Sequence, residues 1–174
     1  MGWHGIQNLP PGFDVTGGKG KGVSIVDQVI KGDIPGLSPA QRDAFKDLKR
    51  HLLHQDYARF FETSLACAAL LIDIPERGYA PTVMKDIIEP AIQVALDQFE
   101  SIRKEVARYA ASKRKMEYDP VSSLNQMYTK ARPLALAYPT AAGADKIEGA
   151  YRAVLKEVEP AASDGPAPRA PSHQ

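Results

Sequence analysis

The sequence predicts an all-α fold: a four- to five-helix bundle with one long heptad-patterned helix over about 81–118 and extended arms at both ends. Three observations carry this. Apolar residues recur three and four positions apart through most of residues 23–159, the spacing of one helix face. Capping residues followed by proline mark where helices open. No segment alternates apolar and polar residues for long enough to make a useful strand, and no internal repeat is visible.

The elements follow in order. Residues 1–22 hold seven glycines and the pair Pro10-Pro11. They cannot bury enough apolar surface to offset their conformational entropy, so an irregular arm is expected. A short helix opens at Ser24, with Asp27 three residues on in the manner of a capping box, and ends at Gly32. The next opens at Ser38-Pro39, where Gln41 supplies the reciprocal capping group, and carries Phe45, Leu48 and Leu52 on one face. After a bend near His54 the apolar set moves to Tyr57, Phe60, Phe61, Leu65, Ala68 and Leu71, and Pro75 closes that helix.

Pro81 opens the long helix. Ile88, Ile92, Ala95, Phe99, Ile102, Val106 and Tyr109 alternate spacings of four and three, a heptad seam that Lys113 interrupts and Met116 resumes. At 1.5 Å per residue this helix would be about 57 Å long, with a kink expected at Pro90. Asp119-Pro120 opens a further helix with the face Val121, Leu124, Tyr128, Ala131, Ala135 and Tyr138, kinked at Pro133. A last helix, with Ile147, Tyr151, Val154 and Val158 on one face, runs to about Glu159 and gives way to a Pro/Ala-rich tail over 160–174.

Composition narrows the function classes. The chain has 174 residues, 22 Lys+Arg and 21 Asp+Glu, for a net charge of +1, so no global field selects a polyanion. One cysteine, Cys67, rules out an intramolecular disulfide framework and any zinc site of several thiolates. No secretory signal is expected at the N-terminus. The longest apolar run, residues 65–72, is too short to span a bilayer, so no membrane partner is expected and the expected location is soluble and intracellular.

The glycine run Gly17-Gly18-Lys19-Gly20-Lys21-Gly22 lacks the Lys-Ser/Thr ending of a phosphate-binding loop and has no strand before it. Asp47, His51 and His54 share one helix face and are legitimate zinc ligands, but they lack a fourth partner, and a solvated face explains them better. No pair of carboxylates and no nucleophile with a base at hand points to catalysis, and no cofactor is expected.

Two features point to binding. Between Arg103 and Lys115 six basic residues (Arg103, Lys104, Arg108, Lys113, Arg114, Lys115) face Glu105 alone, a local net of +5. They could complement the helix C-terminal dipole or, with Lys19 and Lys21, grip a nucleic-acid backbone. Trp3, Ile6, Leu9 and Phe13 place apolar anchors in the N-terminal arm, the composition of a segment that docks into a partner's groove. The leading expectation is therefore a non-enzymatic interaction or assembly protein, of coat, scaffold or adaptor type. It would form a homo-oligomer through that arm and the seam Ile88, Ile92, Phe99, Ile102, Val106 and Tyr109. Nucleic-acid binding is the alternative, and a small helical enzyme or metal protein using His51 and His54 the second.

Overall fold

The computed structural model describes residues 24–75, 77–138 and 143–164. Among them every regular element is helical: α1 (Ile25–Lys31), α2 (Pro39–Leu53), α3 (Tyr57–Ile72), α4 (Ala80–Val83), a π-helical turn (Met84–Ile88), α5 (Glu89–Ala111), α6 (Pro120–Ala137) and α7 (Gly143–Asp164). The chain is all-α.

The helix starts form for the reasons their sequences supply. Ser24 accepts from the Asp27 N–H, and Ser38 with Gln41 completes both bonds of a capping box, at 3.1 and 2.8 Å. Asp119 accepts from the N–H groups of Val121 and Ser122 ahead of Pro120. The Asp27 carboxylate forms an ion pair with Lys49 of α2 and is itself buried.

The expected single helix over 81–118 is different in three places. It begins as the short α4, passes through a π-helical turn, and only then becomes α5. Pro90 explains the insertion, because it has no N–H to give the Asp86 carbonyl and its ring crowds that carbonyl. A wider turn just before it takes up the mismatch, with the Glu89 N–H reaching back to Met84 O. The helix ends at Ala111 rather than 118. Lys113 takes a left-handed conformation (φ 57°), and the N–H groups of Lys113 and Arg114 close on the carbonyls of Ala110 and Tyr109, a Schellman ending. At the other end of the chain, α7 continues through Pro160 to Asp164, past the expected stop at Glu159. Ala161 and Ala162 are strong helix formers and sustain it.

α5 packs against α6 and α7, α6 also packs against α7 and α3, and α3 packs against α2. α1 lies against α2 and the π-helical turn, where the Asp86 carboxylate accepts from the Ile25 N–H at 2.8 Å. The largest buried side chains are Phe45, Phe60, Phe61 and Phe99, joined by Leu48, Leu52, Leu71, Ile87, Ile88, Leu124 and Leu134. Ser64, also buried, returns its hydroxyl to the Phe60 carbonyl, and among the described residues no buried side-chain polar atom lacks a partner.

Candidate functional site

The seam is the first candidate that the structure relocates. Ile88, Ile92, Phe99, Ile102 and Val106 are all 7% exposed or less, and Tyr109 is half-buried. A heptad pattern reports only that one face of a helix is covered. Here the cover comes from the same chain, from α6, α7 and α3 over α5 and from α1 and α3 over the π-helical turn that carries Ile88, so within one copy the seam is core and not an open stripe.

The basic segment is brought together around the end of α5. Arg103 is neutralised by Glu100 of its own helix and by Glu157 of α7, the latter at 3.5 Å. That pairing holds the Glu100 carboxyl below its ordinary range and raises the Arg103 guanidinium above its own. Arg108 pairs with Glu105 at 3.4 Å. The other oxygen of Glu105 accepts from the Tyr118 hydroxyl. Burial, together with that hydrogen bond, pushes the Tyr118 phenol above its ordinary range, so it stays protonated at neutral pH. The guanidinium groups of Arg108 and Arg114 lie 5.0 and 5.1 Å from the centre of the Tyr109 ring.

Lys104, Lys113 and Lys115 are exposed and make no ion pair with a described residue, and Arg114 is exposed beside them. The local charge is thus lower than the sequence sum, because two of the six cations are paired. What is left is concentrated on the turn after α5. Tyr118, 40% exposed, sits beside it, and its hydrogen bond to Glu105, thirteen positions earlier, is a tertiary contact that no local pattern encodes.

The zinc candidates are not gathered. The Asp47 carboxylate is occupied by Arg50, His51 is half-buried and His54 is exposed at the end of α2. Among the described residues no three His, Cys, Asp or Glu side chains converge on a point where a metal ion could sit. Cys67 is buried, and burial with the nearby charge of Asp47 pushes its thiol up to about 12, far from a reactive thiolate. A shallow, open cleft of about 240 Å³ lies between the start of α3 and α6, lined by Gln55, Asp56, Tyr57, Ala58, Ser123, Gln126 and Met127. Asp56 in it is paired with Arg59 at 3.6 Å. Trp3, Ile6, Leu9 and Phe13, with Lys19 and Lys21, lie outside the described residues.

One surface feature escaped the sequence reading. Leu136 is 52% exposed on α6, next to the exposed Pro133 and Ala137. These are i, i+3 and i+4 positions, so the three form a small apolar ridge. Leu136 stands off the apolar face assigned to this helix, which was the available signal. Among the described residues no helix is long and apolar enough to cross a membrane. Comparison with protein-family models, with curated proteins and with solved structures finds no match.

Proposed function

We propose that this chain is a non-enzymatic helical-bundle protein that works by associating with itself, as a coat, scaffold or adaptor-type subunit does. The observation that carries this reading is the exposed ridge Pro133, Leu136 and Ala137 on α6. The described helices bring a contiguous core of their own, so this ridge is surplus to folding. Residues 1–22 contain the complementary chemistry: Trp3, Ile6, Leu9 and Phe13, an aromatic and aliphatic set suited to covering a small apolar ridge. Twenty-two residues reach up to roughly 75 Å when extended, ample to cross from one copy to the next. The seam of α5 has no part in this association, since it is already used within the chain.

Sedimentation velocity over a rising concentration series tests it. The wild-type chain should form a concentration-dependent oligomer. Leu136→Asp, which sets a charge on the exposed ridge and leaves the core untouched, should weaken that association by about tenfold or more. A wild-type chain that sediments as a monomer throughout, or association indifferent to Leu136→Asp, would reject the reading.

A further inference from the structure

We propose that the turn joining α5 to α6 is a binding site for single-stranded nucleic acid, with Lys113, Arg114 and Lys115 on the phosphates and Tyr118 as a stacking platform for a base. The site rests on different residues from the self-association reading and does not depend on it. Its geometry has three parts. The Schellman bonds from Lys113 and Arg114 to Ala110 and Tyr109 (3.1 and 2.9 Å) fix the course of the turn, so the three cations are displayed by ordered backbone. Of the neighbouring carboxylates, Glu105 holds Arg108 and Tyr118, Asp119 holds the first N–H groups of α6, and Glu117 is exposed within the turn itself. The three cations of the turn outnumber the one carboxylate in it that has no partner among the described residues. Finally, the Tyr118 ring is tethered by its hydroxyl to Glu105 and 40% exposed, and the guanidinium groups of Arg108 and Arg114 lie against the ring of Tyr109.

The helix dipole alone does not account for this cluster. Its effect fades within the last turn, and Lys115 lies beyond the final residue of α5. Upstream, Lys104 is exposed on the same helix, about 10 Å of rise before its last residue, so the unpaired positive charge is spread along the element and does not close into a pocket. Charge spread in this way suits an extended polyanion better than an isolated phosphate group. Cations beside an exposed aromatic ring are the combination that holds unpaired strands, where every base offers a face for stacking. An acidic protein would use the cations but have no use for the ring.

Fluorescence anisotropy with a labelled mixed-sequence single strand of about 16 nucleotides provides the test. Binding should weaken with salt with a log–log slope near −2, as about three neutralised phosphates require. Replacing Lys113, Arg114 and Lys115 together by Gln should lower affinity at least tenfold. Tyr118→Ala should lower it by about tenfold, whereas Tyr118→Phe, which keeps the ring and loses only its tether to Glu105, should bind more tightly than Tyr118→Ala. These side chains are exposed, and a thermal melt of each variant confirms folding. Leu136→Asp should bind the strand unchanged, which separates this result from the fate of the self-association reading. Affinity that ignores salt, preference for the duplex, equal competition by polyglutamate, or indifference to Tyr118→Ala would overturn the proposal.

Discussion

Residue 55 shows how much a single position decides. Gln55 lies in the left-handed region (φ 60°), with its N–H on Leu52 O at 3.0 Å, while the Asp56 N–H closes on His51 O at 2.8 Å. This ending lets α2 stop and α3 begin after only His54, Gln55 and Asp56. A side chain bearing a Cβ costs roughly 1–2 kcal/mol in this region, and glycine recovers most of that at the expense of some unfolded-state entropy. Gln55→Gly should therefore stabilise the protein by about 0.5–1 kcal/mol, measured by urea unfolding. No gain would mean that the Gln55 side chain contributes as much as its backbone costs. The bend near His54 was legible in the sequence, because the apolar face rotates there. The left-handed residue was not, since glycine is the usual marker and glutamine gives no warning. Lys113 repeats the lesson at the end of α5, where a seam that resumes at Met116 disguised a helix that had already stopped.

Between elements, the informative contacts are polar and few. The Asp86 carboxylate of the π-helical turn caps the Ile25 N–H, and Lys49 of α2 holds the buried Asp27, so the short α1 is tied at two points. A seven-residue helix has little stability of its own. Asp86→Ala should cost about 1 kcal/mol and raise amide exchange within α1 before it affects α5, a pattern that hydrogen-exchange mass spectrometry resolves. Equal loosening of both helices would show that the bond supports the π-helical turn instead.

The α6–α7 interface is clamped differently. The rings of Tyr128 and Tyr151 stack at 3.9 Å, Tyr151 donates to Asn125 at 2.7 Å, and Glu148 accepts from both Tyr128 and Arg152. The hydrogen bond from Tyr128, then that from Arg152, hold the Glu148 carboxyl below its ordinary range. A carboxylate with a depressed folded-state pKa contributes stability above its unfolded value, about 4.3, and loses it as pH falls through the folded value. Stability should thus decline on acidification through and below that value. Glu148→Gln should remove part of the pH dependence there, as acid titration of the melting temperature will show; an identical profile for the variant would place the dependence elsewhere. The apolar halves of these interfaces were readable as helical faces. The polar clamps were not, because Glu148 and Tyr128 are 20 positions apart and meet only through packing.

For the whole molecule, the near-zero net charge hides a division of labour. Many surface charges stand in pairs within or between helices, such as Glu62 with Lys130 and Glu157 with Arg103, each worth little alone. Two regions stand apart: the basic turn after α5 and the apolar ridge on α6. The helical class and most helix starts followed from periodicity and caps. The two surface regions did not, because exposure is a property of the folded whole. The seam shows the reverse error, since a heptad says that a face is covered and leaves open by what. Self-association through the N-terminal arm is the central claim, and light scattering coupled to gel filtration measures it most directly. The wild-type chain at high concentration should have a mass that is a multiple of its 19.0 kDa, and the chain lacking residues 1–22 should have the mass of one shortened copy. A wild-type monomer, or an oligomer that survives the removal, would contradict the account.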